Sequence, residues 1–162
     1  MNEKMLAALN AQINEELYSH YLYLAMGEYC REQKYTGFAA WLKVQAGEEM
    51  AHAMKIVGFL HERFGRVVFK GIKEPPVDFK SVQAVFEATA KHEQHITGCI
   101  HKLVDLAAEL KDHATSNFLA WFVDEQVEEE HNATRILQKL EMMGKHPAGL
   151  VMLDHELGQR GK

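Results

Sequence analysis

The sequence predicts an all-α fold: a four-helix bundle with one long crossover between its second and third helices, plus a short C-terminal fifth helix. Three observations carry this expectation. Apolar residues recur at helical spacing almost from end to end. Gly65, Gly71, Pro75 and Pro76 punctuate a single interior segment. Each long helical stretch also carries an acidic residue in the middle of its apolar stripe.

The first helix is expected over about 3–32, with the stripe Leu6, Leu9, Ile13, Glu16, His20 and Tyr23. The second runs over about 36–64, where Leu42, Gln45, Glu49, His52, Ile56 and Phe59 step by 3, 4, 3, 4 and 3 along one face. Thr36 and Gly37 mark the turn between these two. A third helix, about 81–109, carries Val82, Phe86, Thr89, Glu93, Ile96, Ile100 and Leu103. A fourth, about 113–143, carries Leu119, Phe122, Gln126, Glu129, Ala133, Ile136 and Leu140; Asp112 is its expected N-cap and Gly144 its stop. A short helix at about 147–157 completes one domain over 1–162.

Short connections make antiparallel hairpins of helices one and two, and of three and four. The connection between the hairpins is roughly 16 residues and reaches about 50 Å when extended, at about 3.3 Å per residue. A 28-residue helix is about 42 Å long. The segment can therefore run the whole bundle and deliver the third helix parallel to the second.

Composition narrows the function. Hydrophobic residues make up 47% of the chain and charged residues 25%, an ordinary balance for a globular protein. The net charge of −5, without a basic stripe, argues against nucleic acid as a partner. No apolar run is long enough for a membrane span, and MNEKMLAALN lacks the pattern of a secretion signal, so a cytoplasmic location is expected. Cys30 and Cys99 are too few for a disulfide framework or a cysteine zinc site, and read as reduced core thiols.

Glu49-x-x-His52 places a carboxylate and an imidazole one turn apart on a buried stripe. The pair alone is weak, because a chain this rich in Glu and His holds about one such pair by chance. A second copy, Glu128-x-x-His131, is rotated about 100° off the fourth helix's stripe. The weight comes from the other helices. Glu16, Glu49, Glu93 and Glu129 each lie near a helix midpoint, and midpoints share one level of a bundle whichever way the helices run. Four carboxylates, His52, Gln126 and Tyr23 therefore converge on one volume. Buried carboxylates without a counter-charge cost several kcal/mol each and repel one another. Two divalent cations would neutralise the four, and oxygen donors with one nitrogen and no sulfur suit iron or manganese. Glu49, between His52 and the opposing helices, is the expected bridge. Tyr23 reads equally as core filling or as a hydrogen-bonding or redox-active neighbour of the metals.

At these residues the chain resembles a bacterial haem-free ferritin, over nearly its whole length. NEELYSHYLYLAM, QAGEEMAHAMKI, KHEQHI and FLAWFVDEQVEEE look like the corresponding family segments in order and spacing. Such a carboxylate site in a four-helix bundle is itself a general description of ferritin-like proteins. The resemblance implies a ferroxidase centre. Glu16, Glu49 and His52 would hold one iron, and Glu49, Glu93 and Glu129 a second, with Gln126 and Tyr23 beside them. Glu48, Glu125 and Glu128 match a third iron site near the inner surface, and a solvated acidic face is the competing reading. Gln126-x-x-Glu129 is the ferritin form; bacterioferritins have a second Glu-x-x-His there. Met50 matches a haem-ligating position of bacterioferritins, but haem is not expected. His20 reads as packing, with a ligand role as the alternative.

The resemblance further implies Fe(II) oxidation by dioxygen or peroxide, and storage as hydrated ferric oxide inside a homo-oligomeric shell of 24 subunits. The fifth helix would either cap its own bundle or meet its copies at a symmetry axis.

Overall fold

The computed structural model describes residues 1–144 and 146–160 and forms five helices. They are α1 (Glu3–Glu32), α2 (Thr36–Glu62), α3 (Val82–Glu109), α4 (His113–Met143) and α5 (Pro147–Leu157). The architecture is the expected four-helix bundle with one long crossover and a short fifth helix. Antiparallel α1 and α2 pack against antiparallel α3 and α4. Contacts from Tyr23 to Glu93 and from Glu15 to His95 fix α1 against α3, while Gln45 to Glu129 and Arg63 to Asp112 fix α2 against α4.

The helix starts are capped by side chains. Asn2, Ser81 and Asp112 accept hydrogen bonds from the backbone N–H groups of Lys4, Ala84 and Thr115, so three helices have orphan donors satisfied locally. At α2 no local side chain performs this role. Asp154 of α5 does so instead, accepting the Phe38 N–H at 2.9 Å. This contact seats α5 on its own bundle, with Leu153 and Leu157 buried and Val151 and Met152 exposed. Gly37 belongs to the same contact. It was expected as a turn marker, yet it lies in the first turn of α2, where a Cβ would come within 1.6 Å of the Asp154 carbonyl oxygen. Only glycine admits that approach.

The crossover is pinned to α1 by the buried Asn10. Its amide donates to the Arg66 carbonyl at 3.0 Å and its oxygen accepts the Val68 N–H at 2.7 Å, so an irregular strand of backbone is satisfied against a helix. The apolar core falls into two clusters. One, around Leu22, Met26, Phe38, Leu42, Phe86 and Leu140, adjoins α5. The other, around Leu9, Ile13, Ile56, Leu60, Ile100 and Leu119, fills the opposite end. Between them lies the layer of buried polar residues. The expected stripes are buried except at Leu6, His20 and Phe59, which are half-buried; Met5 takes the inward place beside Leu6.

Asp112 joins the two hairpins. It caps α4 and accepts hydrogen bonds from both terminal guanidinium nitrogens of Arg63, Nη1 at 3.0 Å and Nη2 at 3.3 Å. Burial alone would push its carboxyl up. The Arg63 guanidinium and the Thr115 N–H and hydroxyl outweigh that and hold it below the ordinary aspartate range. A depressed folded-state pKa gives stabilisation that is complete above the unfolded value and disappears as pH falls through the folded one. Asp112→Ala should therefore lower unfolding stability by about 1 kcal/mol at neutral pH. The gap from wild type should shrink below about pH 4. Urea unfolding of both proteins at the two pH values measures it, and a gap independent of pH would rule out the ion pair as its source.

Candidate metal centre

The polar layer is built one carboxylate per long helix. Glu16 of α1, Glu49 of α2, Glu93 of α3 and Glu129 of α4 are each at most 4% exposed. His52 lies one turn after Glu49 and is buried with it. Its Nδ1 is 3.4 Å from Glu49 Oε2, and its Nε2 is 3.7 Å from Glu125 Oε1. The ring is held edge-on by Trp121 and Phe122. Two donor groups result: Glu16, Glu49 and His52, and His52, Glu125 and Glu129, with the donor atoms of each within 4.8 Å of one another.

Amides and a phenol orient the carboxylates. Gln12, one turn before Glu16, donates to Glu16 Oε1 at 2.8 Å, while Glu16 Oε2 is buried with no hydrogen-bond partner. Gln45, one turn before Glu49, donates to Glu49 Oε1 at 3.2 Å and to Glu129 Oε2 at 2.7 Å. That single amide ties the α2 carboxylate to the α4 carboxylate. Tyr23 donates its hydroxyl to Glu93 Oε1, and Gln126 donates to Glu93 Oε2 at 3.4 Å. Glu93 thus faces Tyr23 and Gln126 and stands outside both donor groups.

Electrostatics make this layer unfavourable without a cation. Burial, then the charge of Glu49, pushes the Glu16 carboxyl well above its ordinary range. Burial and the charges of Glu93 and Glu129 do the same to Glu49. Glu93 is raised by burial, although hydrogen bonds from Tyr23 and Gln126 act against it. Glu129 is pushed up to about 7 by burial and by Glu93. The Tyr23 phenol is raised well above its usual value by burial and by the neighbouring carboxylates, so it remains a donor. Among the described residues, no lysine or arginine pairs with any of the four carboxylates. A buried oxygen without a donor, and carboxyl groups raised by burial and by one another's charge, are the features a bound divalent cation relieves.

The acidic group Glu48, Glu125 and Glu128 is arranged differently. Glu48 is half-buried and bonded to Arg160 Nη2 at 2.6 Å, Glu125 points to His52, and Glu128 is exposed. Glu48, Glu125 and Glu128 form no common donor group among the described residues. Arg160 also donates to Gln45 Oε1 at 2.9 Å and stacks on Trp41. A surface cleft of about 380 Å³, lined by Glu48, Ala51, His52, Lys55, Trp121 and Glu125, opens onto the His52 side of the centre. His20 is outside the centre: its Nδ1–H donates to the Ala46 carbonyl at 2.7 Å, clipping α1 to α2. Met50 is half-buried, neighbouring Glu49 in the chain.

Sequence reasoning assigned no role to Gln12, Gln45 or Arg160. The two glutamines carry a readable signal, since each lies four residues before a buried Glu on the same face. Arg160 carries none, because it reaches Gln45 across 115 residues of chain.

Similarity to known proteins agrees with this geometry. A family described as a ferritin-like domain matches residues 6–143. The chain is 40% identical over 154 residues to a bacterial non-heme ferritin of Campylobacter jejuni, covering 95% of this chain and 92% of that one. It is 40% identical over 158 residues to a probable bacterial non-heme ferritin-like protein of Haemophilus influenzae, covering 98% and 96%. An open-pore ferritin from the archaeon Archaeoglobus fulgidus superimposes with a TM-score of 0.98 at 48% identity, over 99% of this chain and 98% of that one. By its carboxylate layer, its crossover topology and these similarities, the chain belongs to the ferritin family.

Proposed function

We propose that this iron-storage protein oxidises Fe(II) at the Glu16, Glu49, His52, Glu93 and Glu129 layer, and keeps the ferric product as hydrated oxide inside a shell of its own copies. The observation that carries the reading is the position of Glu49. It shares a donor group with Glu16 and His52, and the Gln45 amide links it to Glu129. One carboxylate can therefore face two cations, holding them at the short separation that a shared oxygen species needs.

In this reading Fe(II) is substrate and then cargo. Glu16, Glu49 and His52 take one ion, and Glu49, Glu93 and Glu129 take the other. The entering ions displace protons from the raised carboxyls, and carboxylates tolerate both iron oxidation states. Each ion gives up one electron. The two electrons together reduce dioxygen to peroxide, or peroxide to water. Tyr23 and Gln126 each donate to one oxygen of Glu93, so this carboxylate has a fixed hydrogen-bonded position from which it turns to meet the second ion. Glu48, Glu125 and Glu128 would receive a third iron at the inner surface, once Arg160 releases Glu48. No haem role is assigned to Met50.

A single bundle has no cavity for mineral, so storage requires assembly, for which 24 copies in a closed shell is the proposed state. The exposed Val151 and Met152 of α5 are the apolar positions available for contact between copies. Among the described residues no helix is long and apolar enough to cross a membrane. Storage in the cytoplasm completes the reading.

Anaerobic loading of the apoprotein with Fe(II), followed by rapid mixing with dioxygen, tests the oxidation step. About two Fe(II) per chain should be consumed in a fast phase. Glu49→Ala should slow that phase about tenfold or more. Wild-type speed in the variant would displace the chemistry from this centre. Light scattering of the purified protein tests the assembly: a large hollow particle is expected, whereas a monomer or dimer would remove the storage reading.

A further inference from the structure

Consecutive helical residues diverge by about 100°, so Glu15 leaves the bundle where Glu16 enters it. On that outer side Glu15 meets His95 and Cys99 of α3. Cys99 was expected in the core; it lies half-buried on the seam between α1 and α3. His95 and Cys99 are four residues apart and share a face of α3. His95 Nε2 is 3.0 Å from Glu15 Oε2 and 3.7 Å from Cys99 Sγ, and the three donor atoms lie within 4.8 Å of one another.

We propose that Glu15, His95 and Cys99 form a second metal site, for a borderline-soft divalent cation of the zinc type, with water as the fourth ligand. Separation supports it. Tetrahedral bonds of about 2.0 Å to nitrogen and oxygen and 2.3 Å to sulfur place such donors about 3.3–3.5 Å apart. The two spacings from His95, 3.0 and 3.7 Å, bracket that range, and Glu15 and Cys99 lie within 4.8 Å of each other, so side-chain shifts close the site. Donor type separates it from the iron centre. A thiolate selects zinc-like ions over Fe(II), and Zn(II) also outranks Fe(II) in the general affinity order. The two sites share no ligand, although Glu15 and Glu16 are adjacent. Partial burial and the Glu15 charge push the Cys99 thiol up, against the opposing pull of Lys102. The thiol proton therefore leaves to solvent as the metal binds. Neighbouring His92 is committed elsewhere, with its Nε2 on the Ser19 hydroxyl at 2.8 Å. A cation here would fasten α1 to α3 beside the iron centre.

The test uses Co(II) as a spectroscopic probe of the reduced, metal-free protein under anaerobic conditions. Sulfur ligation gives a thiolate-to-cobalt charge-transfer band, which the all-carboxylate-and-imidazole centre cannot produce. About one equivalent per chain should develop that band, and Zn(II) should abolish it by displacement. Cys99→Ser should lose it, and His95→Ala should weaken Co(II) binding about tenfold or more. Glu49→Ala should keep it, since that change disables only the iron centre. Absence of the band at saturating Co(II), or a full band in Cys99→Ser, would overturn the proposal.

Discussion

Four carboxylates buried at one level of a helical bundle, with no lysine or arginine paired to them among the described residues, set the terms for the rest of this structure. Each is raised above its ordinary titration range, chiefly by burial and then by its neighbours' charge or, at Glu93, against the pull of its hydrogen bonds. Such a layer opposes folding, since the unfolded chain hydrates the same groups freely. The fold must supply enough apolar burial elsewhere to carry it. It does so with two clusters, one on each side, so that the polar layer is sandwiched along the bundle axis. The helices are long because they must span both clusters and the layer between.

The connections follow from the same requirement. A layer with one carboxylate per helix forms only if all four midpoints coincide, which demands tight hairpins and a crossover that runs the bundle's length. Asn10 holds that crossover, Asp112 and Arg63 lock the hairpins at one end, and Asp154 and Gly37 lock α5 at the other. Within the layer, the glutamine amides work at closer range. Gln12 and Gln45 each aim a carboxylate from one turn away, so rigid helical positions, rather than loops, determine donor placement.

Periodicity made the helices legible, and register made the centre legible, because an acid on an apolar stripe is costly and hence informative. The shared depth of Glu16, Glu49, Glu93 and Glu129 needed only helix midpoints. The turns were less readable. Lys34, Phe64 and Lys111 adopt the left-handed conformation usually left to glycine, while Gly37 marks a close approach inside a helix. Arg160, reaching back to Gln45 and Glu48, depends on the seating of α5 and has no local signature. Cys99 shows the opposite limit: its composition-based reading as a core thiol missed that His95 shares its helical face, and that Glu15 reaches them both from another helix.

On the reading proposed above, two kinds of cation chemistry lie on opposite sides of adjacent residues in α1. Glu16 joins an oxygen-rich interior suited to iron, and Glu15 a sulfur-containing seam suited to zinc-like ions. The proposed interior centre rests on Glu49 serving both ions. Anomalous diffraction at the iron edge, from crystals soaked anaerobically in Fe(II), examines that directly. Two iron positions per chain are predicted, one between Glu16, Glu49 and His52 and the other between Glu49, Glu93 and Glu129, with Glu49 touching both. Iron found only at the inner-surface carboxylates, or a pair that leaves Glu49 uncoordinated, would contradict it.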